Sequence, residues 1–213
     1  MVKEYQSKFL DIALKTEALE FGSFTLKSGR QSPYFFNAAK MLNGGNLYDL
    51  GHCYADAIMD YGLNFNSIYG PAYKGIFLGS IVSMAFSENG KNYSLSFNRK
   101  EEKDHGEGGN IIGQCPAGDV LIIDDVLSAG TAARESIETI KSYGANPKSF
   151  IVGLDRQEKG TSNKSAKDQL ESDFGISVKS IINLDTLISF TDNNSRYEKY
   201  LDELIDYRNN WGA

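Results

Sequence analysis

The chain has 213 residues, 41% hydrophobic and 23% charged, which is enough to build one globular domain around a sizeable core. A net charge of −6 argues against a general nucleic-acid binder, which needs a basic face. Cys53 and Cys115 fit no metal or redox spacing, residues 1–6 lack a signal-peptide core, and the apolar stretch 76–86 is too short to span a bilayer. The expectation is a cytoplasmic protein that binds neither nucleic acid nor membrane.

Tyr5, Phe9, Ile12, Ala13 and Leu19 mark one face of a first helix that ends near Gly22. Residues 24–26 and 34–36 flank the polar stretch 27–33, which predicts an antiparallel hairpin with a long turn. His52 lies within a helical pattern without a partner ligand nearby and reads as structural. Short apolar runs then alternate with helical patterns, near residues 67–69, 94–97, 120–123, 149–154 and 176–182. That alternation predicts an α/β fold: a five-stranded parallel sheet flanked by helices, with right-handed crossovers. The first helix and the hairpin stand outside it and form a small N-terminal hood over about residues 1–45. Residues 46–213 form the core and a C-terminal helix within the same single domain, the helix running over 197–211.

The most informative stretch is 120–134, where an apolar run ends in Asp124 and Asp125 and a turn of small residues leads into a helical pattern. A short apolar run bounded by turn residues fits a buried parallel strand, and ligands bind at the carboxyl ends of such strands. The turn Ser128-Ala129-Gly130-Thr131-Ala132 can aim several N–H groups at one anion, helped by the following helix N-terminus. The two carboxylates can accept from sugar hydroxyls or face a hydrated Mg²⁺. Together they describe a ribose-5-phosphate site. The competing reading, a Walker B strand end, lacks its Walker A: Gly70–Gly75 has the first spacing of a P-loop, but Ile76 and Phe77 stand where Lys and Ser or Thr are required.

Three other segments bear on an anionic ligand. Residues 97–110 follow a strand, are almost devoid of apolar residues, and combine Arg99, Lys100, Lys103 and His105 with Gly106, Gly108 and Gly109. Composition alone describes a solvated charged loop; beside a diphosphate site it describes a cationic lid with a glycine hinge. Tyr73 and Lys74 sit where a strand turns into a helix through Gly70 and Pro71, a diphosphate contact or a solvated lysine. Arg156 follows another strand end, suited to a planar carboxylate or to a surface ion pair.

These motifs resemble, from end to end, the bacterial orotate phosphoribosyltransferases, within the type I phosphoribosyltransferases that use phosphoribosyl diphosphate (PRPP). The Asp-Asp motif carries the superfamily resemblance. The hairpin around Phe35 and Phe36, and the Lys103-Asp104-His105-Gly106-Glu107 segment, carry the orotate branch. The resemblance implies the type I fold and a Mg²⁺-dependent transfer of ribose 5-phosphate from PRPP to N1 of orotate, with orotidine 5′-monophosphate and diphosphate as products. It implies PRPP contacts from Lys27, Tyr73, Lys74, Arg99, Lys100, Lys103 and His105, with Asp124, Asp125, Val126, Leu127, Ser128, Ala129, Gly130, Thr131 and Ala132 around the ribose phosphate. It implies orotate contacts from Phe35, Phe36, Ser128 and Arg156, and catalytic roles for Lys103 first and Asp125 second. Mg²⁺ would be held mainly by substrate and water, without a protein metal site. The active unit would be a homodimer in which the loop 99–109 brings Lys103 and His105 across the interface. Ser128 stands where many relatives carry Thr. A purine-type transferase would share the PRPP motif without the paired phenylalanines and Arg156. A PRPP-sensing regulator would need a basic DNA-binding module, for which this acidic chain has no spare segment.

Overall fold

The structure, a computed structural model, describes residues 2–100, 110–160 and 163–213. A helix α1 (Glu4–Lys15) precedes a hairpin, β1 (Leu19–Thr25) and β2 (Gln31–Phe36). Then follow α2 (Leu47–Asp60), β3 (Ser67–Tyr69), α3 (Lys74–Ser87), β4 (Ser94–Asn98), β5 (Ile111–Gly113) and β6 (Asp119–Leu127). The rest is α4 (Thr131–Ser142), β7 (Asn146–Asp155), α5 (Ala166–Phe174), β8 (Ser177–Asn183), α6 (Leu184–Asp192) and α7 (Leu201–Trp211).

The first helix is shorter than its apolar spacing predicts. It stops at Lys15, where the Thr16 hydroxyl bonds back to the Ile12 carbonyl at 2.8 Å and Glu17 turns left-handed at φ 55°. Leu19 belongs instead to β1, opposite Phe36. Its spacing from Tyr5 matches whole helical turns, so the apolar period continues by coincidence across a break. The hairpin is correspondingly longer, pairing Leu19 with Phe36 at one end and Thr25 with Gln31 at the other.

The main sheet has the order β5-β4-β3-β6-β7-β8. The five predicted strands are present and run parallel, from β4 at one side to β8 at the other. A sixth, β5, pairs antiparallel with β4 at the edge; three residues ending in glycine gave no periodic signal. β4 and β5 hold the two ends of the polar segment side by side, with the Arg99 N–H donating to the Asn110 carbonyl at 2.8 Å.

The apolar run of β6 is continuous because both faces of the sheet are covered. Leu121 and Ile123 face the side packed by Phe9, Tyr54 and Leu78, whereas Val120 and Ile122 face that packed by Ile137, Ile140 and Leu170. The hood docks on the first side through Phe9, whose ring centroid lies 6.3 Å from that of Phe36 and 6.2 Å from that of Tyr54. On the same side α7 buries Leu204 and Tyr207. The hairpin and α7 are thus carried to the end of β7 where Arg156 emerges. The predicted C-terminal helix starts later than its spacing suggests, since a short 3₁₀ turn occupies Glu198–Tyr200.

Candidate active site

Parallel strands of one sheet deliver their carboxyl ends to one rim. Tyr69 of β3 is in register with Ile122 of β6, and Leu127 of β6 with Asp155 of β7. The loops after these strands carry the turn 70–75, the segment 124–132 and Arg156, which therefore meet.

The turn after β6 bounds a cleft of 120 Å³ lined by Asp124, Val126, Leu127, Ser128, Ala129, Gly130, Thr131 and Ala132, with Ala133 and Phe150 behind. Gly130 enters α4 at φ +78°, a left-handed conformation that a side chain would strain. No side chain caps α4. Its first N–H groups, at the edge of this cleft, are left without a side-chain acceptor, as an anion site requires. Ser128, Ala129, Thr131 and Ala132 are exposed there, while the Leu127 side chain is buried in the core. Leu127 acts by its backbone: its carbonyl accepts from the Arg156 N–H at 3.2 Å.

The two carboxylates beside this cleft differ. Asp125 is buried and its Oδ2 accepts from the Lys74 ammonium at 2.6 Å. Asp124 accepts the Asp125 N–H on its own Oδ1 at 2.9 Å, and its carbonyl accepts from the Tyr54 hydroxyl at 3.0 Å. Burial, and then the neighbouring Asp125 charge, push the Asp124 carboxyl up to about 7. A carboxyl raised on folding contributes stability that is complete below its ordinary value of 3.8 and is lost as pH rises through about 7. Asp124→Asn removes that loss. Its stabilising effect on the free protein should grow from about pH 4 to pH 7 and then level, by at most about 1.4 kcal/mol per pH unit. Calorimetric melting across that range checks it, and a pH-independent difference would count against this electrostatic origin.

The turn after β3 is tightly folded. A Cβ on Gly70 would come within 2.0 Å of the Gly75 carbonyl oxygen, so the chain can close here only without one. Asn98 at the end of β4 accepts the Ala72 N–H at 2.9 Å and ties this turn to the base of the polar segment. Tyr73 is largely exposed, with the Lys100 ammonium 5.0 Å from its ring centroid, and Lys74 opens α3. Arg99 keeps a buried Nε with no partner among the described residues. Tyr73, Lys74, Lys100 and Asp125 are thereby brought together. Lys103 and His105 lie outside the described residues, as does all of the loop 99–109 beyond Lys100. Lys27 is exposed in the hairpin turn, without an ion pair or hydrogen bond to the strand-end cluster.

The hairpin separates its two phenylalanines, as adjacent strand residues must be. Phe35 is 39% exposed and leans on Phe24 at 5.6 Å between centroids, whereas Phe36 is 8% exposed and packs on Phe9. Arg156 is not the surface ion pair that its sequence context allows. It is 6% exposed, with Nε donating to Glu158 Oε1 at 2.5 Å and Nη2 to the Ser32 hydroxyl at 3.1 Å and the Tyr207 hydroxyl at 3.3 Å. Its guanidinium lies 4.3 Å from the centroid of Tyr34. Of these partners only Glu158 is near in sequence, two places on, beyond a left-handed Gln157 at φ 51°. Ser32, Tyr34 and Tyr207 come from β2 and α7, and no local pattern announces them. His52 bridges helices, with Nε2 at 3.1 Å from Glu88 and Nδ1 at 2.9 Å from the Tyr48 carbonyl.

Among the described residues no group of three or more His, Cys, Asp or Glu is placed to hold a metal ion, and no helix is long and apolar enough to cross a membrane. No family model matches the chain. Among curated proteins it is 47% identical over 210 residues to an orotate phosphoribosyltransferase of Marinobacter nauticus, covering 99% of both chains. It is 45% identical to an orotate phosphoribosyltransferase of Salmonella arizonae over the full length of both. Among solved structures, an orotate phosphoribosyltransferase of Francisella tularensis superposes with a TM-score of 0.86 at 36% identity, covering 96% of this chain and 99% of that one. The fold expected from the motifs is therefore the fold observed. A Mycobacterium tuberculosis orotate phosphoribosyltransferase in complex with PRPP shares the fold at a TM-score of 0.64 and 16% identity, over 87% of this chain and 99% of that one.

Proposed function

The chain belongs to the orotate phosphoribosyltransferase family, and from that premise we propose how its strand-end cleft carries out the reaction. The enzyme transfers ribose 5-phosphate from PRPP to N1 of orotate, yielding orotidine 5′-monophosphate and diphosphate in pyrimidine biosynthesis. The observation that carries the arrangement is the Asp124–Asp125 pair beside an uncapped helix N-terminus, with Lys74 on Asp125. An amide cradle for a phosphate next to acceptors for sugar hydroxyls is a ribose-phosphate site.

In this reading the 5-phosphate lies in the 128–132 turn, and the ribose hydroxyls donate to Asp124 and Asp125. The diphosphate lies against Tyr73, Lys74, Arg99 and Lys100, with Lys27 reaching from the hairpin turn. Lys74 gives up part of its hold on Asp125 as both turn to substrate. Orotate stacks on the exposed Phe35 and offers its carboxylate to Arg156, with Ser128 at its edge. Phe36, packed on Phe9 and turned from the base, anchors the strand that carries Phe35. As N1 attacks the anomeric carbon and the diphosphate leaves, positive charge grows on the sugar and negative charge on the leaving group. Asp124 and Asp125 favour the first, and the cations of the diphosphate site favour the second.

The hard carboxylate oxygens of Asp124 and Asp125 suit Mg²⁺ held mainly by substrate and water. When bound, the metal neutralises charge on the leaving diphosphate. The loop 99–109 starts and ends on the sheet's edge pair, where a second subunit can approach, and in a homodimer it delivers Lys103 and His105 to the partner's cleft. The enzyme works in the cytoplasm.

The test follows the ultraviolet absorbance of orotate incubated with PRPP and protein. Orotate should be consumed with divalent metal present, and exhaustive chelation should slow turnover at least about tenfold, with recovery on adding Mg²⁺. No orotate consumption under any condition would overturn the function, and full activity without metal would overturn the charge-neutralisation argument.

A further inference from the structure

Arg156 has more partners than a residue whose task is only to meet a ligand. Its Nε is committed to Glu158 and its Nη2 to Ser32 and Tyr207. That leaves Nη1 as the guanidinium nitrogen without a hydrogen bond to a described residue. Tyr207 is committed as well: its hydroxyl accepts from Arg156 Nη2 and donates its single proton to Glu158 Oε1 at 2.7 Å. The ring is buried and meets Tyr34 edge-on at 6.1 Å between centroids, and Tyr34 is the face on which the guanidinium rests. Glu158 is held from its other oxygen by Arg30 Nη1 at 3.3 Å, and the Arg30 guanidinium lies 4.7 Å from the centroid of Trp211. The backbone of the C-terminus closes the same cluster, with the Lys159 N–H on the Trp211 carbonyl at 2.8 Å and the Ala213 N–H on the Gln157 carbonyl at 3.0 Å.

We propose that Tyr207 of the C-terminal helix, acting with Glu158, is a positioning residue for orotate: it fixes the plane of the Arg156 guanidinium so that Nη1 is the edge presented to the base. A free arginine side chain samples many rotamers, and a carboxylate that binds one must order it first. Here the ordering is built in by α7 and β2. The cost is removed before orotate arrives, which is preorganisation. The proposal rests on the reading that Arg156 meets the orotate carboxylate.

The experiment compares Tyr207→Phe with Arg156→Ala and the double variant in steady-state titrations of orotate and of PRPP. Tyr207→Phe keeps the ring against Tyr34 and removes only the hydroxyl. It should raise the KM for orotate about three- to tenfold while the KM for PRPP and kcat stay within about twofold of wild type. In the Arg156→Ala background the same change should add almost nothing, because the residue it acts through is gone. A merely structural role would shift melting temperature and both substrates together. Should Tyr207→Phe fold poorly, Glu158→Gln tests the same contact from the other side, with the same split between substrates expected. If Arg156→Ala weakens orotate but neither Tyr207→Phe nor Glu158→Gln does, the positioning role is wrong and the base-site reading stands. If Arg156→Ala itself leaves orotate unaffected, both fall.

Discussion

Equal amounts of Lys103→Ala and Asp125→Asn chains, refolded together, should regain roughly a quarter of wild-type turnover, although neither variant alone turns over well. Asp125 is buried against Lys74, so replacing its carboxylate with an amide keeps the shape and removes the charge that, in the proposed arrangement, favours a cationic ribose. Losing one such preorganised electrostatic group commonly slows turnover about a hundred- to a thousandfold. Lys103 acts, in the proposed arrangement, from the partner chain. In a mixed dimer one site inherits both defects, while the other combines an intact Asp125 with an intact Lys103. Random pairing makes about half the dimers mixed, each with one good site of two. Mass spectrometry confirms that chains have exchanged. If confirmed mixed dimers only average their parents, Lys103 works within its own subunit.

The strand-end arrangement is legible in the sequence because it is local. Asp124, Asp125 and the 128–132 turn sit within one strand–turn–helix unit, and the parallel sheet places such units at one rim. Local signals also misled where their period happened to match. Leu19 falls in phase with the helix face of Tyr5 and Phe9 but is a strand residue, because Glu17 breaks the helix in a left-handed turn. Strand β5 was too short to show a period at all. The surroundings of Arg156 could not be read for a different reason. Ser32, Tyr34 and Tyr207 reach it across the chain, by docking of the hood and of α7 on one sheet face. Tertiary contacts of that kind have no periodicity. A chain segment reveals which residue leaves a strand end, but not that the residue is already held in place.

Base recognition, in the proposed arrangement, turns on Arg156. The guanidinium is buried with Nε and Nη2 occupied, so in the proposed arrangement its remaining edge meets the orotate carboxylate in a preordered setting, where a charge-assisted bond is strong. Arg156→Ala also leaves Glu158 facing Arg30 and Tyr207, so the carboxylate is not stranded and the fold should survive. Loss of a bond of this kind is worth roughly 2–4 kcal/mol, or about 30- to 1000-fold in affinity. The decisive measurement is therefore the pair of saturation curves for Arg156→Ala, one varying orotate and one varying PRPP. The account predicts an orotate KM raised at least about 30-fold with PRPP saturation close to wild type. An unchanged orotate curve, or an equal loss for both substrates, would contradict it.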